Sequence, residues 1–308
     1  MFRTALHKAT RRMFGRRMSI IVIMYNMRRE AHRTLHSLTK AYQWGVDHLD
    51  YEVIVVDNGS SEPVEDSLLS HLGPQFRHMY IEDAHPSPAN AINRAVEAST
   101  GDIVCIMIDG AHILTPGILH YADFAFRIYK NPVVAPHYFF LGPGQQSQTV
   151  FEGYNQEAED ALLASINWPE DGYRLFKIGQ IIGQTERSWF MRKFEGNCLF
   201  LYRKHFENIG GCDERFDLPG GGFLNPDLYD RALTQGGATS VCMIGEGTFH
   251  QVHGGTTTNI SRATLQNKLS AYRKQYEDIR GKLFQAPNVP VEYIGHMPIP
   301  AAIEDVLG

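Results

Sequence analysis

The chain has 308 residues, of which 43% are apolar and 20% are charged, and its formal net charge is −5. This composition is typical of globular proteins, and the length suits one large domain or a domain with an appended part. The negative net charge argues against a protein that binds nucleic acid through phosphate contacts. The sequence has no apolar run that approaches the roughly 18 residues of a membrane span. Its four cysteines are widely spaced without a CxxC pair, which predicts reduced thiols in a cytoplasmic protein.

Residues 1–18 form a basic segment that contains six arginine or lysine residues and no acidic residue. No apolar stretch follows the charges, so the segment does not resemble a secretory signal. Two interpretations stay open. The segment is a tail outside the folded domain, with Met18 as an alternative start, or it contacts anionic lipid headgroups and gives the protein a peripheral membrane location.

The first 110 residues alternate between strands and amphipathic helices. Continuous β-rich runs at 19–26, 51–57 and 102–109 predict strands that are covered on both faces. Apolar residues recur at helical spacing in MRREAHRTLHSLTKAYQ, between the first two strands, and in ANAINRAVEAST, before the third. This alternation predicts an α/β fold with a mostly parallel central sheet and helices on both faces.

Polar side chains follow each of these three strands, namely Tyr25 with Asn26, then Asp57, then Asp109. Because parallel strands end at one edge of a sheet, these side chains should meet in a ligand-binding crevice. The first strand is not followed by a GxGxxG turn, and the sequence has neither a P-loop nor a GxSxG turn after a strand. The pattern therefore disfavours dehydrogenases, P-loop NTPases and serine hydrolases.

The order of the motifs resembles the family 2 glycosyltransferases, which have the GT-A fold. The resemblance is carried by IIVIMYN, VIVVDNGSS, the run 93–102 that precedes IDG, EGNCLFLYRKHFENIGGCDERF at 195–216 and GGGFLNPDLYDRAL at 220–233. It implies a GT-A domain over residues 19–255. The domain would comprise a nucleotide-binding half (19–112) and an acceptor-side half (113–255), followed by a C-terminal helix and Pro-rich tail (256–308).

The resemblance also implies an activity, in which a sugar moves from a nucleoside-diphosphate sugar to a hydroxyl group. UDP is the commonest carrier in the family, and the acceptor would be a glycan, a lipid or a small molecule, as in polysaccharide biosynthesis. A divalent cation, Mn²⁺ or Mg²⁺, would bridge the two phosphates with Asp109 as a ligand. The residues expected to bind the nucleotide are Tyr25, Asn26, Asp57, Asn93 and Asp109.

The metal-binding motif departs from the Asp-x-Asp pattern of the family, because Ala111 stands in place of the second carboxylate. We expect His112 and the late His250 to complete the metal shell, since Mn²⁺ accepts imidazole as well as oxygen ligands. His250 and His253 would face opposite ways on a strand, so we expect only one of them to be a ligand. Ordinary hydrogen-bonded histidines are the alternative at these positions.

The acidic pair that supplies the catalytic base in the family is here Asn225-Pro226-Asp227, with one acid. We expect Asp227 to act as the base of an inverting single displacement, because the glycines at 220–222 indicate a loop that substrate approaches closely. The alternative is a first-turn acid that stabilises its helix through the dipole. Glu195 is the reserve candidate for the base.

Residues 138–194 fit no regular sheet pattern and contain Trp168, Tyr173, Trp189 and Phe190. Because sugars stack on aromatic rings, we expect this insert to recognise the acceptor, unless the rings fill the space between insert and core. Two other functions stay open. One is a non-catalytic nucleotide- or carbohydrate-binding relative with a degenerate acidic motif. The other is a nucleotidyltransferase, which would need a glycine-rich loop after the first strand.

Overall fold

The computed structural model describes residues 16–181, 188–255, 260 and 262–297. Residues 1–15 of the predicted basic segment therefore lie outside the described residues. The strands are β1 (Met18–Met24), β2 (Tyr51–Asp57), β3 (Phe76–Tyr80), β4 (Ile103–Met107), β5 (His112–Leu114), β6 (Pro132–Leu141), β7 (Gly179–Ile181), β8 (Leu199–Tyr202), β9 (Thr239–His250) and β10 (Val291–Gly295). The α-helices are α1 (Arg28–His36), α2 (Asp66–Leu72), α3 (Ala89–Ala98), α4 (Ile118–Ile128), α5 (Gln146–Thr149), α6 (Gln156–Ile166), α7 (Arg203–Asn208), α8 (Leu224–Thr234) and α9 (Arg262–Arg280).

Within the described residues, the ten strands form one sheet whose main path is β10-β9-β6-β8-β4-β1-β2-β3. Neighbouring strands on this path are parallel except for the two pairs that involve β8. Met24 of β1 lies opposite Asp57 of β2, and Val22 lies opposite Met107 of β4. The three strands therefore end at the same edge of the sheet, as predicted.

The first strand is apolar along most of its length because both of its faces are covered. Ile20 and Val22 pack with side chains of α1 and α4 on one face of the sheet. Ile21 and Ile23 pack with side chains of α3 and α8 on the other face. A parallel strand buried on both faces loses the alternation of polar and apolar residues, which is why the sequence shows a continuous apolar run.

The C-terminal helix α9 packs on the sheet domain through Tyr276, which is buried in the second of these clusters. The insert between β6 and β8 covers a third, smaller apolar cluster. Within the described residues, no helix combines the length and the apolar character needed to cross a membrane.

Candidate active site

A cleft of about 550 Å³ lies at the carboxyl edge of the sheet. The loops after β1, β2 and β3 contribute Tyr25, Asn58 and His85 to its lining. Glu195, which precedes β8, and Tyr138 of β6 contribute to the lining as well. Asp109 follows β4, which lies between β1 and β8 in the sheet. The strand order therefore places Asp109 between the two groups of side chains.

Three ligand atoms converge in this cleft. The Oδ2 atom of Asp109 is 3.1 Å from Nε2 of His250 and 3.4 Å from Nε2 of His253. The two Nε2 atoms are 3.1 Å apart. Among the described residues, these three side chains form the one group of His, Cys, Asp or Glu that could hold a metal ion.

The triangle of atoms has the size expected for one face of a metal coordination shell. Ligand atoms about 2.1–2.2 Å from an ion, at right angles to each other, are about 3.0–3.1 Å apart. Two edges of the triangle are 3.1 Å and the third is 3.4 Å. A carboxylate with two imidazoles is a donor set that suits a borderline divalent cation such as Mn²⁺, so the residues present fit the predicted cation.

The tautomer of His250 also fits a metal ligand. Its Nδ1 atom is 2.5 Å from Oε1 of Gln146, and the amide nitrogen of Gln146 donates to the carbonyl oxygen of His250 at 3.0 Å. Because the amide nitrogen is used on the carbonyl, the amide oxygen is left to accept the Nδ1 proton. The Nε2 atom that faces Asp109 then carries a lone pair, as metal coordination requires.

Both histidines point to Asp109 because β9 ends at His250. Residues 251–255 have no regular secondary structure. The expectation that only one of the two histidines could face the site is wrong, since it assumed a strand through His253. The family pattern has a second carboxylate at position 111. In this chain the imidazole of His253 is the additional candidate ligand instead.

The three groups shift one another's pKa. Burial favours the protonated form of Asp109, but the imidazoles of His253 and His250 outweigh it and hold the pKa of Asp109 well below its usual range. Burial lowers the pKa of His250. Burial acts in the same direction on His253, yet the Asp109 carboxylate outweighs it and raises the pKa of His253. The electrostatic field of the site therefore favours an ionised Asp109 carboxylate next to a positive charge.

His112 lines the cleft beside this triangle without belonging to it. It lies opposite His250 in the β5–β9 pairing, and the two ring centroids are 5.0 Å apart. Burial lowers the pKa of His112 to about 3, and its Nδ1 atom has no hydrogen-bond partner. Its predicted role as a metal ligand stays a prediction.

Asn197 holds the backbone of Asp109 in place. Its Oδ1 accepts the N–H of Asp109 at 3.0 Å, and its Nδ2 donates to the carbonyl oxygen of Asp109 at 3.1 Å. The next residue, Cys198, has φ of 62°, a left-handed conformation that is uncommon for a residue with a side chain. Asn197 was not among the residues that the sequence singled out for the site.

Glu195 lines the cleft. Asn225 bridges the loop that carries it, because its Oδ1 accepts the N–H of Gly196 at 3.3 Å and its Nδ2 lies 3.5 Å from Oε2 of Glu195. Burial, followed by the negative charge of Asp109, raises the pKa of Glu195 to about 7. A carboxyl with such a value can accept a proton near neutral pH.

Asp227, the residue expected to be the base, lies in α8 away from the cleft lining and is 1% exposed. Its two carboxylate oxygens accept hydrogen bonds from Nε and a terminal nitrogen of Arg280, at 2.5 and 2.7 Å. Arg231 adds a third bond at 2.7 Å. The two guanidinium groups occupy three of the roughly four acceptor sites of this carboxylate, which favours a structural role for it. The expected role of Asp227 as the base stays a prediction.

The glycines near Asp227 nevertheless belong to the cleft. Gly220 and Gly222 line it, and the three glycines at 220–222 have φ values of 76°, 79° and 55°. Residues that carry a side chain rarely adopt positive φ values at three successive positions, so the conformation of this loop depends on glycine.

The residues that we expected to bind the nucleotide fall into two groups. Tyr25 lines the cleft with 57% of its surface exposed, and Asp109 lines it as well. The other three side chains are not part of the lining and form hydrogen bonds with other groups of the protein. Asn26 accepts hydrogen bonds from Ser61, Asp57 accepts the backbone N–H groups of Ser60 and Val64, and Asn93 joins α3 to the loop at 212–214.

Four aromatic residues were expected to recognise the acceptor, and none of them lies in the lining of the cleft: Trp168, Tyr173, Trp189 and Phe190. Trp168 is buried and packs edge-on against Tyr42 and His36, in the small cluster beneath the insert. Phe190 is exposed and pairs with Tyr293 of β10. For Trp168, the ring fills the space between insert and core.

Comparison with known proteins gives a family match in the first half of the chain. The sequence model of the family described as "Glycosyl transferase family 2" matches residues 19–123. No curated protein sequence gave a significant match.

Solved structures match over most of the chain. A mannosyltransferase from Pyrobaculum calidifontis, in complex with GDP-Man and Mn²⁺, is 16% identical with a TM-score of 0.53, and the match covers 88% of this chain and 66% of that one. Glucosyl-3-phosphoglycerate synthase of M. tuberculosis is 17% identical with a TM-score of 0.51, covering 88% of this chain and 83% of the other. TarS of S. aureus, as residues 1–349 with UDP-GlcNAc, is 12% identical with a TM-score of 0.50, covering 85% and 73%.

At these identities the likeness concerns the fold, and it confirms the predicted GT-A architecture. The chain spans slightly less than two thirds of the mannosyltransferase, at 66%, and 43% of a longer TarS structure.

Proposed function

We propose that this chain, which carries a family 2 glycosyltransferase domain on a GT-A fold, moves a sugar from a nucleoside-diphosphate sugar to a hydroxyl acceptor with the help of a divalent cation. The match over residues 19–123 supports the family resemblance and with it the proposal of a glycosyltransferase. The identity of the cation, UDP as the carrier, inversion of configuration and the acceptor are parts of the proposal.

One observation carries the proposal, namely the convergence of Asp109, His250 and His253 in the cleft, with ligand atoms 3.1–3.4 Å apart. A divalent cation bound there would neutralise, as a Lewis acid, the charge that develops on the leaving diphosphate. The mannosyltransferase structure is a complex with GDP-Man and Mn²⁺, which supports a role for a cation in a chain of the same fold.

The two sides of the cleft suit the two substrates. Tyr25 is exposed beside the loops after β2 and β3, where its ring can stack on the nucleotide base. Glu195 faces the acceptor side and takes the proton of the attacking hydroxyl group. The acceptor oxygen bonds to the anomeric carbon as the bond from that carbon to the phosphate oxygen breaks. Nucleoside diphosphate leaves, and the configuration at the anomeric carbon inverts.

The choice of Glu195 over Asp227 follows from their surroundings. Glu195 lines the cleft, and burial raises its pKa to about 7. Asp227 is held by Arg231 and Arg280 outside the lining. The NMR spectrum of the product decides the mechanism, because inversion predicts an anomeric configuration opposite to that of the donor, whereas retention would leave Glu195 without the role of base.

The alternative of a non-catalytic binding relative arose from the missing carboxylate at position 111. We infer that His253 supplies a ligand in its place, and with three candidate ligands at the site the missing carboxylate does not favour a degenerate motif. Slow release of nucleoside diphosphate from the donor in water, abolished by Asp109→Ala, is expected for an enzyme. A wild-type protein that binds the donor and releases no diphosphate would support the alternative.

The donor is tested by thermal shift with UDP, GDP and TDP, each with and without Mn²⁺. A ligand at a hundredfold excess over its dissociation constant adds about 2.7 kcal/mol to the free energy of unfolding. We expect one base to stabilise the protein most strongly, and only when Mn²⁺ is present. Equal stabilisation with and without Mn²⁺ would remove the cation from the proposal.

The cytoplasmic location and the contact of residues 1–18 with membranes also stay proposals. Six cationic residues without an acid suit an anionic bilayer surface. Co-sedimentation with vesicles that contain anionic lipid, for the full chain and for a chain that starts at Met18, tests the contact. Equal partitioning of the two proteins would rule it out.

A further inference from the structure

The insert between β6 and β8 contacts the segment that carries both histidines of the candidate metal site, through the buried polar side chains of Gln146 and Glu159. Gln146, at the start of α5, is fully buried and bonds to His250 twice, at Nδ1 (2.5 Å) and at the carbonyl oxygen (3.0 Å). A buried amide must find partners for its oxygen and its nitrogen, and here both find them on one residue.

The second contact reaches Val252, the residue that precedes His253. Glu159 of α6 has no exposed surface, and its Oε2 accepts the N–H of Val252 at 2.7 Å. Arg29 of α1 lies within 3.3 Å of the other oxygen of Glu159 and 3.4 Å from the carbonyl oxygen of Val252. The N–H and the C=O of Val252 are therefore both held by this pair.

Burying an ionisable group here is costly, since burial raises the pKa of Glu159 to about 7 despite the nearby Arg29 and Arg33. An apolar side chain could attach the insert to the core without that penalty. An apolar side chain has no atom that accepts the N–H of Val252. It could therefore not hold the peptide next to His253 in one orientation, as a metal ligand such as His253 requires.

We propose that Gln146 and Glu159 are positioning residues of the metal site: Gln146 fixes the tautomer and ring orientation of His250, and Glu159 with Arg29 fixes the backbone next to His253. This inference rests on the metal site of the proposed function. It gives the insert a role in metal binding in addition to, or in place of, the acceptor recognition expected from its aromatic residues. Outer-shell partners of this kind change metal affinity by about 10–100-fold when they are removed.

The test compares two buried glutamines in the full-length protein. Gln146→Met keeps the volume of the side chain and removes its hydrogen bonds to His250. The matched control is Gln43→Met, because Gln43 is also buried and bonds to backbone groups of Ser37, Thr115 and Leu119 instead. The Mn²⁺ dissociation constant is measured by the loss of the EPR signal of free Mn²⁺, and folding is followed by the thermal midpoint.

We expect Gln146→Met to raise the Mn²⁺ dissociation constant about 10–100-fold, and Gln43→Met to leave it within about twofold. Gln146→Glu keeps an acceptor for Nδ1 and should restore binding to within a few-fold of the wild type. Pulsed EPR of bound Mn²⁺ should show fewer coordinated imidazole nitrogens in Gln146→Met than in the wild type. Unchanged affinity in Gln146→Met, or an equal loss in Gln43→Met, would overturn the role of Gln146.

Variants of Glu159 provide a second test if Gln146→Met does not fold. Glu159→Gln keeps an acceptor for the N–H of Val252 and should bind Mn²⁺ nearly as the wild type does. Glu159→Leu removes that acceptor and should weaken binding about tenfold or more. Equal affinity in the two variants would overturn the role of Glu159. A wild-type protein that binds no Mn²⁺ would instead refute the metal site itself, so the two failures are distinguishable.

Discussion

His250 and His253 place their Nε2 atoms 3.1 Å apart, although they are separated by only two residues at the end of an extended strand. Regular strand geometry would turn side chains at this spacing to opposite faces. The strand ends at His250, and the segment that follows brings His253 back toward Asp109. The pair therefore offers a cation two imidazoles from one short stretch of sequence.

His253→Ala is expected to weaken Mn²⁺ binding as strongly as His250→Ala does. Each variant removes one of the three proposed ligands, so each loss should be at least as large as the roughly 10–100-fold effect of outer-shell changes. His112→Ala is the comparison, since His112 lines the cleft outside the triangle. The measurement is an Mn²⁺ titration followed by EPR. Normal binding in His253→Ala with strong loss in His112→Ala would make His112 the third ligand.

Glu195→Gln is expected to lower kcat about 10²–10⁴-fold, the range for loss of a general base, and to leave Mn²⁺ binding unchanged. The amide matches the carboxylate in shape but cannot accept the proton of the acceptor hydroxyl. Initial rates at saturating donor, with the Mn²⁺ affinity as a control, measure the effect. Wild-type kcat in this variant would exclude Glu195 as the base.

The same carboxyl predicts the pH dependence of the wild type. A base acts in its deprotonated form, so kcat/KM should rise with pH and reach a plateau once Glu195 has lost its proton. Its pKa is raised to about 7, first by burial and then by Asp109. A bound cation offsets the charge of Asp109, which moves the rising limb to pH 7 or below. A rate that falls as the pH rises through this range would contradict the assignment.

Asp227→Asn is expected to destabilise the protein while the folded fraction keeps its activity. Breaking a buried ion pair costs about 3–5 kcal/mol, and Asp227 pairs with both Arg231 and Arg280. Arg280 ends α9, so the change should loosen the C-terminal helix. Urea unfolding gives the stability, and kcat per folded molecule gives the activity. A stable Asp227→Asn protein with a large loss of kcat would return the role of base to Asp227.

The fold was predictable from the sequence because its signal is local. The run SIIVIM is apolar at most positions since the sheet is covered on both faces, and the turn residues mark the end of each strand. The edge at which Tyr25 and Asp109 meet follows from parallel pairing alone. Long apolar strands thus reveal both the fold class and the position of the cleft.

The polar network around the site was not predictable, because its members are distant in the sequence. Asp109 and His250 are 141 residues apart, and Gln146 and His250 are 104 apart. Asn197 and Glu159 stand in segments whose local pattern indicates only a loop and a surface helix. Asp227 shows the opposite case, since a carboxylate near a glycine-rich loop suits a base until Arg280, 53 residues later, pairs with it. Such pairings depend on tertiary contacts that no local pattern encodes.

Glu246 predicts how stability depends on pH. It is fully buried in β9 and accepts hydrogen bonds from Thr115 and Tyr173, at 2.5 and 2.7 Å. Burial outweighs these bonds and raises its pKa from 4.5 to about 7. The folded state therefore binds the proton more tightly than the unfolded state does, and stability falls as the pH rises from about 4.5 to 7. The loss amounts to about 3 kcal/mol, as an upper value.

Glu246→Gln removes this titration, because the amide stays neutral and still offers an oxygen to Thr115. We expect the variant to resemble the wild type at pH 5 and to gain stability relative to it between pH 5 and pH 8. Urea unfolding at both pH values measures the double difference, and Glu62→Gln, at an exposed position, serves as the control that should show none. The free energies of wild type and Glu246→Gln could instead differ by the same amount at both pH values. In that case Glu246 does not hold its proton near neutral pH and carries a negative charge in the folded protein.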